Sequence, residues 1–214
     1  MPKSATFKFD KHIGIIGETQ SGKTVLAGRM VDNLTETEAV LVIDFEDLGE
    51  FGGVRVDGDT PEESIINALE NGETLRFVPA TDKELRIKQI DYIFDVLKNK
   101  VGRMVYVVAD EIQEYGDAKS NAFDRYAIRG LKNGVLLISI TQRPAKLSNT
   151  IASQTKRWFF FEVNNFEERY FKEYSLPFED ITERFNSMNQ DKAKHSFVVY
   201  ERGRGVSKPM KLEL

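Results

Sequence analysis

The residues with the plainest chemical purpose are Gly17, Glu18, Thr19, Gln20, Ser21, Gly22, Lys23 and Thr24. They match the spacing G-x-x-x-x-G-K-[ST] of a phosphate-binding loop. Glycines at 17 and 22 let successive backbone N–H groups turn inward toward phosphate oxygens. A helix opening near Gly22 and running on through Val25 would add its unpaired N–H groups and the positive end of its dipole. Lys23 can reach the β- and γ-phosphates of ATP, and the Thr24 hydroxyl can ligate Mg²⁺. A cradle alone specifies only binding. Asp110-Glu111 follows the apolar run Met104 to Ala109 and supplies more. Asp110, at a strand's carboxyl end, can hold Mg²⁺, while Glu111 can polarise a water for attack on the γ-phosphate. That pair favours water over a bound acceptor. Gln142, at the tip of the next apolar run, can hydrogen-bond the γ-phosphate or the water without adding charge. The plainer readings are a glycine turn before a helix, and an acidic pair favoured by a helix dipole.

These groups meet only if strands deliver them to one edge. Ile13 to Ile16 precedes the loop, and the helix after it is predicted to end between Asn33 and Thr37. Apolar runs at Ala39–Ile43, Met104–Ala109 and Val135–Ile140 read as strands buried on both faces, and Arg157–Val163 as a further strand. Thr74–Val78 is a further strand, and Val54–Val56 a short one in a glycine-rich loop. Thr60-Pro61-Glu62-Glu63 and Thr81-Asp82-Lys83-Glu84 carry helix-capping patterns. The second of these helices places Ile90, Ile93, Phe94 and Leu97 on one stripe, and another is expected over 122–132, closed by Asn133-Gly134. Strands alternating with helices require parallel βαβ units, whose ligands bind beyond the carboxyl ends of the strands. The last third differs. Two short aromatic helices, 166–174 and 178–185, should bury their rings, and 196–201 with 209–214 around Arg202-Gly203-Arg204-Gly205 suggests a hairpin. The expected organisation is one domain over 1–214, with a core of about 12–165 and an extension of about 166–214.

A hydrophobic content of 41% with 30% charged residues is ordinary globular composition, long enough at 214 residues to bury a core. The absence of cysteine excludes disulfides, thiol nucleophiles and cysteine-ligated zinc. His12 and His195 lack ligand-like spacing, so neither is expected to hold a metal. No apolar run is long enough to span a membrane, and Met1 to Lys8 lacks a signal-peptide core, so a cytoplasmic location is expected. A net charge of −4 argues against coating nucleic acid with the whole surface, leaving a local basic lane possible.

Taken in order, Gly17-x4-Gly22-Lys23-Thr24, Val42-Ile43-Asp44, Val107-Val108-Ala109-Asp110-Glu111 and Ile140-Thr141-Gln142-Arg143-Pro144 resemble the HerA–FtsK superfamily of DNA-pumping ATPases. The resemblance covers roughly residues 12 to 165. It implies a RecA-like P-loop NTPase: an α/β fold with a mostly parallel sheet of core order 5-1-4-3-2. It also implies ATP and Mg²⁺ as cofactors, a hexameric ring of identical subunits, and double-stranded DNA threaded through the pore. With the phosphate loop so near the start, the extra N-terminal domains of cellular relatives are not expected. The bare motor looks most like the genome-packaging ATPases of tailless icosahedral viruses with internal membranes, which adds capsid or viral membrane proteins as partners and the virion as a location. One departure stands out. Relatives place an arginine shortly before the glycine that precedes the Thr-Gln-Arg-Pro strand, where it acts on the neighbouring subunit's nucleotide. The matching position here is Leu131, so Arg129, Arg125 and Arg143 are the replacements to weigh. Lys119, Arg125, Lys132, Lys146, Lys156 and Arg157 are the DNA-contact candidates, expected around the ligand edge. The implied function is ATP-driven translocation of duplex DNA. Alternatives are a HerA-like cellular DNA-processing motor, a P-loop switch or assembly module, and a small nucleotide kinase. The kinase would need an arginine-rich acceptor lid that the chain does not offer.

Overall fold

Short connections through helices force the strands to run the same way. The computed structural model describes residues 9–35, 38–47, 49–117, 119–188 and 195–212. The predicted helix end at Glu36-Thr37 and strand end at Glu213-Leu214 lie outside the described residues. Strand β1 (Ile13–Ile16) leads through α1 (Lys23–Thr35) to β2 (Ala39–Ile43). Then β3 (Val54–Val56) leads through α2 (Glu62–Glu70) to β4 (Thr74–Phe77), and α3 (Lys83–Lys100) returns the chain to β5 (Val105–Ala109). Helix α4 (Asp124–Arg129) precedes β6 (Val135–Thr141), and α5 (Asn149–Gln154) precedes β7 (Arg157–Phe160). Beyond β7 come α6 (Glu168–Glu173), α7 (Phe178–Asn186), β8 (Ser196–Glu201), β9 (Gly205–Val206) and β10 (Met210–Lys211).

The sheet runs β10-β8-β7-β1-β6-β5-β2-β4-β3. Its centre, β7-β1-β6-β5-β2, is the expected 5-1-4-3-2 order, and β3 through β7 along that path are parallel. Antiparallel β8 closes one side, pairing with both β9 and β10. The predicted second hairpin arm is therefore split. Pro209 has no N–H to donate, and the Ser207 hydroxyl takes over the ladder by accepting from Val199 N at 2.9 Å.

Apolar residues cover both faces, unequally. Leu26, Ala27, Met30, Val31 and Leu34 of α1 pack one face, together with Phe9, Phe51 and Leu212. Helices α2 to α7 pack the other, where the predicted stripe of Ile90, Ile93, Phe94 and Leu97 is buried. Phe171, Tyr174, Phe178 and Phe185 from the aromatic third lie in that core, whereas Phe166 is 91% exposed. Gly14 is fixed by Trp158, since a Cβ on Gly14 would fall 2.1 Å from the indole.

Several boundaries differ from expectation. The cap of α3 is Asp82, not Thr81, because its carboxylate accepts from Leu85 N at 2.9 Å. Thr60 does not cap α2 either: its hydroxyl accepts from Asp57 N at 3.0 Å, and Pro61 opens the helix. Helix α4 stops at Arg129, short of 132. Gly130 N still donates to Tyr126 O at 2.8 Å, but Asn133 N and Val135 N both turn back to Gly130 O at 2.8 Å, so the chain tightens into a single 3₁₀ turn ending at left-handed Gly134. Helix α5 was not anticipated, although Ser148 caps it by accepting from Ile151 N at 3.1 Å. His12 is buried, with Nδ1 accepting from Leu137 N at 2.9 Å, and burial lowers its pKa to about 4. It is a neutral structural ring. Among the described residues no helix is long and apolar enough to cross a membrane.

Candidate nucleotide site

Strand order decides what meets at the carboxyl edge. Strand β6 lies between β1 and β5. Asp110 is therefore delivered one strand away from the phosphate loop, as the 5-1-4-3-2 order implies. Gln142, which follows β6, sits in the gap. Its Oε1 accepts from Thr19 Oγ1 at 2.5 Å, and its Nε2 donates to Glu111 Oε2 at 3.4 Å. The amide thereby joins the phosphate loop to the acidic pair.

The loop itself is built by backbone conformation. Gly22 has φ 108° and Gln20 φ 61°, both in the left-handed region, and Ser21 N donates to Glu18 O at 3.2 Å. A Cβ on Gly17 would lie 2.5 Å from Phe161 Cβ and 2.8 Å from Ser21 Oγ. Tight packing under the loop is thus what demands glycine at 17. Helix α1 begins at Lys23, so its free N–H groups open at the loop. Lys23 is buried and donates to Glu18 O at 2.6 Å. Burial lowers its pKa, while Glu111, Asp110, Glu18 and Glu167 pull it back up. Thr24 is partly exposed and Val25 exposed.

Glu111 has φ 45°, a strained setting for a glutamate, just before a 3₁₀ turn over Ile112–Tyr115. Its side chain makes no capping hydrogen bond to that turn. Gln113 Nε2 also donates to Glu111 Oε2, and Gln113 Oε1 accepts from Thr141 Oγ1 at 2.6 Å. The Thr141 hydroxyl in turn accepts from Arg143 N at 3.0 Å. Gln113 is buried, and its only signal in the sequence is an amide two residues from the acid.

Asp110 Oδ1 accepts from Glu111 N at 3.0 Å, yet burial and then the neighbouring Glu111 raise its pKa to about 6. A buried carboxylate beside another is what a cation would stabilise. Among the described residues no group of three or more ligating side chains forms a closed cage. The hydroxyl of Thr24 and carboxylate of Asp110 are hard oxygen donors. They suit Mg²⁺, which keeps waters and takes its other ligands from phosphate. The residues present fit that ion.

On the far side of β1, the turn after β7 reaches the loop. Asn164 Nδ2 donates to Glu18 Oε1 at 3.1 Å, and Glu167 Oε2 accepts from Asn164 N at 3.3 Å. Burial, then Glu18, raise the Glu167 pKa to about 7. The phosphate loop and the acidic rim line one cleft of about 900 Å³, which holds Thr19, Lys23, Thr24, Asp110, Glu111 and Gln142.

No protein-family profile matches the sequence, and no curated protein matches it. By structure the chain is similar to the genome packaging NTPase B204 from Sulfolobus turreted icosahedral virus 2 in complex with ATP-gammaS. The TM-score is 0.77 at 17% identity, over 96% of this chain and 98% of that one. The two chains share a fold, a mostly parallel sheet flanked by helices. VirB4 of Thermoanaerobacter pseudethanolicus shares it at a TM-score of 0.65 and 9% identity, over 97% of this chain and 91% of that one. So does the pCW3 conjugation coupling protein TcpA with ATPgS, at 0.59 and 16%, over 97% of this chain and 62% of that one.

Within this fold the arginine candidates separate. Arg125 is committed within its own chain, to Asp91 Oδ1 at 3.0 Å and Asp95 Oδ1 at 2.6 Å on α3. Arg129 is exposed at the end of α4, near the start of β6 and so away from the chain's own cleft. Ile128 and Leu131 beside it are 58% and 41% exposed. Arg143 is exposed immediately after Gln142. The DNA-contact candidates separate too. Lys119 and Lys146 lie on loops after β5 and β6, at the ligand edge. Lys132 and Lys156 precede β6 and β7 and Arg157 opens β7, so they belong to the opposite edge, and Arg157 pairs with Glu201 at 3.0 Å.

Proposed function

We propose that this chain hydrolyses ATP to drive double-stranded DNA through a ring of identical subunits, packaging a viral genome into a capsid. The observation that carries the hydrolytic part is the path Thr19–Gln142–Glu111, which ties the phosphate loop to an acid able to activate water. Lys23 exchanges the Glu18 carbonyl for the β- and γ-phosphates. Glu111, aligned by the amides of Gln113 and Gln142, takes the proton of the attacking water, and Gln142 reads the γ-phosphate through its second contact to Thr19. Thr24 and Asp110 would hold Mg²⁺, which when bound would neutralise charge on the phosphates. Arg129, remote from its own cleft and flanked by exposed apolar side chains, acts on the neighbouring subunit's nucleotide, with Arg143 as the second candidate. An arginine supplied in trans contributes roughly 10³–10⁵ in rate, so isolated subunits turn over poorly. Lys119 and Lys146 grip DNA phosphates, a contact that weakens steeply with salt. The fold shared with B204, the DNA-packaging ATPase from Sulfolobus turreted icosahedral virus, supports the coupling to DNA.

The test is ATPase rate with and without duplex DNA at two salt concentrations. Stimulation by duplex DNA, abolished in Lys23→Ala and Glu111→Gln, is the expected result. A rate indifferent to DNA and to Glu111→Gln overturns the reading.

A further inference from the structure

The cleft extends past the phosphates in a direction that the catalytic groups do not use. Glu111 and Gln142 mark the γ-phosphate end, so the nucleoside must leave the loop at the other end, along α1. The α1 residues lining the cleft there are Val25, Gly28, Arg29 and Asp32, a single stripe at i, i+3, i+4 and i+7. Gly28 is the anomaly. Glycine inside a helix is unfavourable relative to alanine, yet a Cβ at Gly28 would meet nothing within 4 Å. Neither packing nor a special backbone angle requires glycine at 28, because the residue is helical with open space above it. The space it leaves belongs to the cleft.

His195 closes the same region from the C-terminal extension. Its Nδ1 lies 3.3 Å from Ser21 O, so the ring is tied to the phosphate loop, and it lines the cleft. A carbonyl can only accept, so Nδ1 carries the proton. His195 is held at φ 58°, and its own carbonyl accepts from Leu212 N at 2.9 Å. Leu212 lies 3.0 Å from where a Cβ on Gly22 would stand. The extension therefore folds back over the loop and presents an aromatic ring at the start of the stripe.

We propose that the Val25–Gly28 face of α1 and the ring of His195 form the nucleoside subsite, with the base stacked on His195 and lying over the gap at Gly28. This rests on the nucleotide-hydrolysing reading above. It gives the C-terminal extension a direct part in substrate binding, and it assigns the mid-helix glycine to the ligand.

The test compares binding of ATPγS and of inorganic tripolyphosphate, each with Mg²⁺, by titration calorimetry. Gly28→Leu should melt no lower than the unaltered protein, since leucine favours helix and meets open space. It should weaken ATPγS about tenfold or more while tripolyphosphate stays within about twofold. His195→Ala should weaken ATPγS about fivefold or more, again sparing tripolyphosphate, and His195→Phe should recover most of the loss. Gly28→Leu with an unaltered ratio of the two affinities overturns the subsite, and so does an unaltered ratio in His195→Ala. Unaltered protein that binds both ligands equally well overturns this inference alone. Protein that binds neither overturns the nucleotide reading beneath it.

Discussion

The two halves of the cleft are built on different principles. The phosphate cradle comes from one contiguous stretch, Gly17 to Val25, and its working groups are mostly backbone N–H at a helix start. The acid rim is assembled from residues far apart in the chain: Asp110 to Gln113 after β5, and Thr141-Gln142 at the end of β6. A cradle made of backbone survives most side-chain changes but depends on its one lysine. A rim made of linked side chains can lose its chemistry while binding persists.

The largest expected effects test that division. Lys23→Ala should remove measurable nucleotide binding, because no other cation in the cradle replaces a buried ammonium that sits among Glu18, Asp110, Glu111 and Glu167. Glu111→Gln should bind ATPγS with near-normal affinity and lose on the order of 10²–10⁴ in turnover, the range for removing a general base. Calorimetry beside steady-state ATPase rates reads both. Equal loss of binding in the two variants breaks the distinction between cradle and rim.

A smaller effect sharpens it. Gln113 touches Glu111 on one side and Thr141 on the other, wholly inside the protein. Gln113→Leu keeps the volume but leaves the Thr141 hydroxyl without its acceptor, at a cost of about 1–3 kcal/mol in stability. Turnover should fall roughly tenfold, less than in Glu111→Gln, because Gln142 still donates to the acid. Urea denaturation and ATPase rates check the pair of outcomes. Unchanged stability would show that the buried amide is not the rim's support.

The same division explains what the sequence made legible. The cradle could be read because its chemistry is local, and the central strands could be read because parallel strands buried on both faces leave continuous apolar runs. Gln142 was found through its position at a strand tip, although only the strand order explains why it bridges Thr19 and Glu111. Gln113, Asn164 and Glu167 were missed. Each acts through a contact with a distant segment: Gln113 with Thr141, Asn164 with Glu18, Glu167 with the neighbourhood of Lys23. His195 was weighed only as a metal ligand, so its place in the cleft went unseen. Errors in the helices had local causes, since Asp82 outcompetes Thr81 as a cap and the chain after Gly130 tightens into a 3₁₀ turn.

Protons separate the halves at finer scale. Asp110 has a pKa of about 6 in the rim, so at pH 6 roughly half the molecules carry its proton. Binding of Mg²⁺ with ATPγS favours the ionised form and should release about half a proton per site at pH 6, and almost none from this group at pH 8. Calorimetry in buffers of differing ionisation enthalpy measures the release, and Asp110→Asn should remove it. Glu167 offers the smallest effect, on the cradle side. Its pKa is raised to about 7 from 4.5, so the folded state holds its proton more tightly than the unfolded chain. Its contribution to stability is therefore present below pH 4.5 and lost as pH rises toward 7. Glu167→Gln keeps an oxygen for Asn164 N without the charge. It should melt one to a few degrees above the unaltered protein at pH 8, and show no such gain at pH 4.5. His12 works the other way, because its pKa of about 4 makes folding less favourable as pH falls below 6.5. The comparison must therefore be between variant and parent at each pH, where the His12 contribution cancels. A gain of equal size at both pH values would mean that the Glu167 carboxylate is not held at the edge of ionisation by the cradle.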